Sequence, residues 1–404
     1  MVREGYKQTE LGVIPEEWKV KKLGDLGDVK MCKRIFQSDT TDYGDIPFFK
    51  IGTFGKEPDA FISRNKYEEF KSKFSFPNKG EILISAAGTI GRLVKYNGEE
   101  SYFQDSNIVW INNTKEIVSN ELLVFILENI RYNTEGGTIQ RLYNNILKST
   151  IFICPPLEEQ EAIATALSDT DKWISSLEEL IAKKRLIKQG AMQELLTPKE
   201  DWEVKTLGSF TKVFTKQTGF DYSAYIKPSL VKRRGEGDIP FIQNKDFNNK
   251  WINYETDYFI PKKVAFNFPN ILLNEKSLLI SISGAIGNIG IYESTNVAFI
   301  GGAIAILKFK DIRVIDWIMY YLKSDLGQLK LFGNVKAGSH QNLILDDLRK
   351  LHIPFPELQE QERITTILSD MDKEIEQLDV QLEKAKDIKQ GMMQELLTGR
   401  VRLV

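Results

Sequence analysis

The side chains of this 404-residue chain whose types and spacing suggest chemistry are basic and amide groups gathered in a few loops. Lys30, Lys33 and Arg34 form one group, and Lys227, Lys232, Arg233 and Arg234 form another in a stretch without an acidic residue. Arginine and lysine read guanine edges and asparagine and glutamine read adenine, while most remaining contacts go to phosphate. On that chemistry the candidates for DNA contact in the first half are Lys30, Lys33, Arg34, Arg92, Gln140 and Arg141. In the second half they are Lys212, Lys216, Lys232, Arg233, Arg234, Asn288, His340 and Gln341. For any one of them, an ordinary solvated side chain is an equally good reading. The formal net charge of −2 does not decide the matter, because counterion release depends on local clusters of Lys and Arg rather than on the sum.

Other chemistries find little support. Cys32 and Cys154 are the two cysteines and stand in different contexts, so neither a disulfide framework nor a cysteine zinc site is expected. The two histidines, His340 and His352, lack a partner at metal-ligand spacing, and no metal is expected. There is no G-x-x-x-x-G-K-[ST] phosphate loop, no N-P-P-[YF] or D-P-P-[YF] run, and no glycine motif suited to adenosylmethionine. Asp201-Trp202-Glu203-Val204-Lys205 superficially resembles nuclease carboxylates, but the matching first-half positions are Glu17, Lys19 and Lys21. Gly88 to Gly91 suits a tight turn better than a phosphate cradle, since no lysine adjoins it. No catalytic residue and no cofactor are expected. No apolar run approaches the roughly 20 residues that span a bilayer, and the first residues carry no apolar signal-peptide core, so no membrane role and a cytoplasmic location are expected.

What positions these loops is a duplication. The segment from Leu157 to Thr197 returns from Leu358 to Thr398, with 24 of 41 positions identical. Prolines precede each copy, and Glu158, Glu159 and Glu161 or Glu360 and Glu362 fill its first turn. Both are signals of a helix N-terminus. With no internal proline, about 40 residues at 1.5 Å each make a rod of about 60 Å. In the second copy Ile364, Leu368, Met371, Ile375, Leu378, Leu382, Ala385, Met392 and Leu396 recur at steps of mostly three and four. The first copy carries Ile163, Leu167, Ile174, Leu177, Ile181, Ala191 and Leu195 in the same register, with Thr170 and Lys184 as weaker positions. Exposed stripes of that length would aggregate, so the two copies are expected to pack on each other, antiparallel. Two amphipathic helices, each packed on its own domain, are the alternative. Gly190 and Gly391 imply close packing, a partner contact or a tolerated kink. Lys183, Lys184 and Arg185 are read as balancing a helix face or meeting a partner rather than touching bases.

The blocks between the helices echo each other. Trp18 stands opposite Trp202, Gly44-Asp45-Ile46-Pro47-Phe48 matches Gly237-Asp238-Ile239-Pro240-Phe241, and Ile82 to Tyr96 matches Leu278 to Tyr292 as strand, glycine turn, strand. Asn120 to Ile130 and Ile315 to Leu322 read as helices. Residues 136 to 140 and 337 to 341 occupy equivalent places, whereas residues 30 to 43 and 212 to 236 diverge. The fold class is therefore mixed α/β, with two blocks separated by two long helices packed as an antiparallel coiled coil and an internal pseudo-twofold repeat. The boundaries fall at 1–155, 156–198, 199–353 and 354–404.

A divergent block opened by I-P-x-x-W, an I-S-x-x-G-x-I-G turn, and P-P-L-x-E-Q leading into a long helix that ends Q-E-L-L-T, all repeated, resembles the specificity (S) subunit of type I restriction-modification systems. The likeness covers essentially the whole chain. Departures are slight: Pro356-Glu357-Leu358 replaces the proline pair, and Glu17-Trp18-Lys19 replaces the usual Glu-Trp-Glu. The resemblance implies that the two blocks are target recognition domains, each reading one half-site of an asymmetric, bipartite target in double-stranded DNA. It also implies that the helices set the spacing and bind two methyltransferase (M) subunits, with restriction (R) subunits joining through the complex. Readings of another class are a self-sufficient DNA methyltransferase or nuclease, and a coiled-coil scaffold with no DNA role.

Overall fold

The computed structural model describes residues 3–132, 141–333 and 342–403. It divides into two compact units, Met1–Glu179 together with Val380–Val404, and Leu180–Asp379. Each unit contains a stretch of both long helices, Leu157–Leu195 and Leu358–Leu396.

Among the described residues the first unit holds four small sheets, one of them the hairpin of Tyr6–Thr9 with Gly12–Pro15. Its main sheet orders Val29–Lys30, Ile108–Ile111, Ile82–Ser85 and Leu93–Lys95, all antiparallel. A second sheet sets Ile46–Phe49 between Phe61–Ile62 and Tyr102–Phe103, and a third pairs Lys19–Lys22 with Ile151–Cys154. Ile82–Ser85 and Ile108–Ile111 are buried on both faces, which explains their continuous apolar runs where a half-exposed strand would alternate. One face meets the helix Asn120–Asn129, capped by Ser119, together with Ile163, Leu167 and Leu396 of the long helices. The other meets an aromatic cluster around Phe48, Tyr67 and Tyr102.

The second unit repeats this plan with additions. Its main sheet orders Thr211–Lys216, Ile304–Phe309, Ser277–Ser281 and Ile289–Tyr292, extended by Trp251–Ile252 and Phe247–Asn248. Asp238–Ile242 lies between Phe259–Pro261 and Ala298–Ile300, and Glu203–Thr206 pairs with His352–Phe355. The helix Ile315–Lys323 takes the place of Asn120–Asn129, against Ile364 and Leu368. A second cluster gathers around Phe241 and Phe299.

In both units the long helices touch. In the first, Asp171 meets Lys389 at 2.7 Å and Glu178 meets Lys386 at 3.6 Å. In the second, Lys184 meets Glu374 at 2.6 Å and Lys199, just past the helix end, meets Glu360 at 2.6 Å. Numbering falls along one helix as it rises along the other, so within each unit the two segments run antiparallel. The expected stripe residues are buried or half-buried, with Ile163, Leu167, Ile364 and Leu368 fully enclosed. The helices also pack on the sheets and short helix of their unit. Both helices run on through Gly190 and Gly391, where an added Cβ would meet open space. Close packing within the chain is therefore not what those glycines serve.

Trp18, in the leader segment that opens the first block as Trp202 does in the second, explains one buried acid. Trp18 is fully enclosed, and its indole N–H donates to Glu159 Oε1 at 3.1 Å. Arg402 donates to Glu159 as well and to Glu17 at 2.8 Å, so this buried carboxylate is both paired and hydrogen-bonded.

Both cysteines are free and buried. Burial pushes the Cys32 thiol up to about 12 and the Cys154 thiol up to about 11. At pH 8 the thiolate fraction of Cys32 is then on the order of one in ten thousand, and the thiolate is the reactive form. A maleimide probe at that pH is expected to label neither cysteine in the folded chain and both in guanidinium. Rapid labelling of the folded chain would show that these cores open locally.

Candidate nucleic-acid interface

In each unit a glycine turn caps one end of the main sheet. Gly88 and Gly91 adopt positive φ of 66° and 81°, and Gly284 and Gly287 adopt 75° and 85°, values natural only to glycine. Ser85 Oγ accepts from the Arg92 N–H at 2.8 Å, and Ser281 Oγ accepts from the Asn288 N–H at the same distance. The Gly91 and Gly287 N–H groups donate to Ser85 and Ser281 carbonyls. These N–H groups are used inside the turn, which supports a tight turn over a phosphate cradle.

The loop entering the next short helix docks beside each turn. Arg141 bridges to Ala87 and Leu142 N–H donates to Ala86, just as Asn342 bridges to Ser283 and Leu343 N–H donates to Ile282. Gln140, His340 and Gln341 lie outside the described residues.

Strand register places most first-unit candidates on the same rim. Ile108 faces Ser85 at the turn end of the sheet, so the preceding loop, with Asp105, lies there too. Arg34 reaches Asp105 at 2.9 Å. Arg92 donates to the Phe54 carbonyl at 2.8 Å, which fixes its stem while leaving the residue part-exposed. Lys30 pairs across from Trp110 and heads toward that end, with Asp28 3.8 Å away, and the Lys33 ammonium lies 5.2 Å from the Phe74 ring centroid.

The second unit is less uniform. Lys216, opposite Ala305, and Asn288 sit at the turn end. Lys212 lies four residues back along the strand, about 13 Å away, and pairs with Glu275 at 2.7 Å, so the structure does not bring it to that rim. Lys232, Arg233 and Arg234 occupy a separate exposed loop between Val231, bridged to Phe259, and Asp238. Arg234 donates to the Asp238 carbonyl at 3.3 Å, with its guanidinium 5.9 Å from the Phe259 centroid. In the first unit Thr41 bridges to Phe61 at the matching place, but the loop from there to Asp45, the counterpart of Asp238, carries Asp42 and no Lys or Arg. One scaffold thus presents opposite charge at one position.

The candidates legible in the sequence are polar side chains, and several exposed aromatics stand beside them. Phe36, Tyr43, Phe220 and Tyr225 are 62%, 83%, 72% and 54% exposed, and all lie in the two divergent loops. Rings held in water on a loop can stack on bases or wedge into a groove. The visible signal was an aromatic inside a polar insertion. In the second unit that insertion coils into a short π-type turn over Tyr222–Ile226, with no counterpart among the described residues of the first.

Among the described residues no group of three His, Cys, Asp or Glu side chains is placed to hold a metal ion, and no helix is long and apolar enough to cross a membrane. Trp202 of the nuclease-like run is buried, and Glu203 pairs with Lys205 at 2.6 Å.

The family model of the type I restriction modification DNA specificity domain matches residues 15–188 and 199–384. A Haemophilus influenzae protein named as a type I restriction enzyme specificity subunit is 51% identical over 175 residues, which is 43% of this chain and 46% of that relative. That match spans about half the length of the relative. The MjaX specificity subunit from Methanocaldococcus jannaschii is 26% identical over 435 residues, covering 99% of this chain and 97% of that one. The crystal structure of a type I restriction-modification system S subunit from M. genitalium shares the fold at a TM-score of 0.58 and 17% identity, over 94% of this chain and 96% of that one. With two matched stretches that together take in most of the sequence, the chain belongs to the type I restriction modification DNA specificity family.

Proposed function

We propose that this chain is the DNA sequence-recognition subunit of a type I restriction-modification complex and has no catalysis of its own. Residues 1–155 and 199–353 act as its two target recognition domains, each reading one half-site of an asymmetric, bipartite target in double-stranded DNA. Residues 156–198 and 354–404 form an antiparallel coiled coil that fixes the unread gap. The observation that carries this reading is the repetition of one scaffold with different loops, joined by helices that each begin in one unit and end in the other.

Recruitment of two M subunits, and of R subunits through them, is supported by apolar side chains left on the long helices. Ile187 and Ile388 hold the same position in the two repeats and are 47% and 48% exposed. Paired apolar positions facing water suit two equivalent partners.

Sequencing methylated sites in cells that carry the chain with its M and R partners tests the reading. The native chain is expected to give two short half-sites at one fixed separation. Removing seven residues from each long helix shortens each by about 10 Å while nearly preserving helical phase, and should shorten the gap by about three base pairs. An unchanged gap would remove the spacing role.

A further inference from the structure

The two units share one arrangement of side chains and differ in its last member. In the first, the Lys389 ammonium lies 5.5 Å from the Phe125 ring centroid and pairs with Asp171 at 2.7 Å and Glu128 at 3.1 Å. Burial works against the Lys389 charge, but hydrogen bonds to Asp171 and Glu128 hold its pKa above the ordinary lysine range. Two acids close that arrangement.

In the second unit Lys188 and Asp372, the repeat equivalents of Lys389 and Asp171, also pair, and Lys188 lies 5.8 Å from the Tyr320 centroid. One helical turn beyond the ring the first unit has Glu128, and the second has Lys323. An acid has become a base at the same place. The Lys323 ammonium donates to the Asn249 carbonyl at 2.7 Å and, among the described residues, makes no ion pair. The neighbouring cations are already engaged: Arg185 with Asp379 at 3.0 Å, and Lys250 with Asp316 at 3.0 Å. Asp372 also accepts from the Tyr320 hydroxyl at 2.7 Å. Burial pushes the Lys323 ammonium down to about 8, the Lys188 charge adds to the effect, and Asp372 opposes it.

These groups line a cleft of about 340 Å³ within the second unit, at the small end of the range for ligand sites. Gln189 and Gln193 add amide donors, while Met192, Met319 and Ile375 form an apolar wall. Several donors converging beside a lysine suit a tetrahedral group with several acceptor oxygens, and the apolar wall suits an organic body attached to it. Asp325 also lines the cleft, which disfavours a densely charged polymer and favours one compact anionic group.

We propose that this cleft binds a small phosphate-bearing molecule, with Lys323 as the principal charge and Lys188, Gln189 and Gln193 beside it. The site belongs to the second unit alone, because Glu128 fills the matching position in the first. An arriving anion supplies the partner that Lys323 lacks and draws its proton back.

Isothermal titration of the full chain with inorganic phosphate and with adenosine 5′-monophosphate tests the proposal. Both probes are expected to bind the native chain, more weakly as pH rises from 7 to 9 and Lys323 loses its proton. Lys323→Glu should weaken both at least ten-fold and Lys323→Met by less. Glu128→Lys should create a second site in the first unit. Thermal melting checks that both variants stay folded, and Lys323→Met is the control because the carboxylate of Lys323→Glu would face Asp372 as well as Lys188 and Lys250. Absence of binding by either probe, or binding that Lys323→Glu leaves untouched, would overturn the assignment.

Discussion

Exchanging residues 200–355 for the matching block of a relative is expected to replace one half of the DNA target and leave the other half unchanged. The second unit owns its sheets and both of its apolar clusters, and the chosen limits keep Glu203–Thr206 together with its partner strand His352–Phe355. All of the second-half candidates travel with the block, and those of the first half stay. Each wrong base pair in a specific site costs about 1–3 kcal/mol. Losing three of them therefore weakens binding to the old target by at least about 150-fold. Methylated-site sequencing reads the result directly, and a change in both halves would rule out independent reading heads.

The largest structural effect is expected at Gly327. It lies in the first turn of the helix Asp325–Phe332, where its N–H donates to the capping Ser324 hydroxyl oxygen at 3.1 Å. A Cβ there would fall 1.9 Å from the Tyr321 carbonyl oxygen and 2.7 Å from the Leu322 Cα, both backbone atoms that cannot swing aside. Gly327→Ala must therefore prise this helix off Ile315–Lys323, at a cost of roughly 3 kcal/mol or more. For a unit of this size that lowers the melting temperature by about 6–12 °C. Gly190→Ala is the control, because its Cβ meets nothing within 4 Å and alanine favours the helix by about 1 kcal/mol. Equal melting of the two variants would show that the contact at Gly327 relaxes without cost.

The features legible in the sequence were those set by local periodicity or by repetition. Leu157–Leu195 and Leu358–Leu396 begin where proline and glutamate place them, and their buried stripe follows the three-and-four spacing. The glycine turns at 88–91 and 284–287 were visible because positive φ selects one residue type. Loop placement was not legible, since it depends on which strands pair across long separations. Lys212 and Lys216 are close in sequence and of one charge, yet strand register sends them to opposite ends of the sheet. The reversal from Glu128 to Lys323 was hidden for a similar reason. The two short helices share too few residues to be aligned without the rings they present to Lys389 and Lys188.

In the first unit the end of the second long helix rests on the leader. The Tyr6 hydroxyl donates to the Gly399 carbonyl at 3.1 Å, and a Cβ on Gly399 would strike Pro15. In the second unit the equivalent helix end runs by peptide bonds straight into the leader at Trp202. One junction is thus covalent in one unit and purely packed in the other. The order in which segments are strung together is therefore not what encodes the shape: a polypeptide cyclised through the first junction and reopened at the second would contain the same contacts threaded from a different starting point.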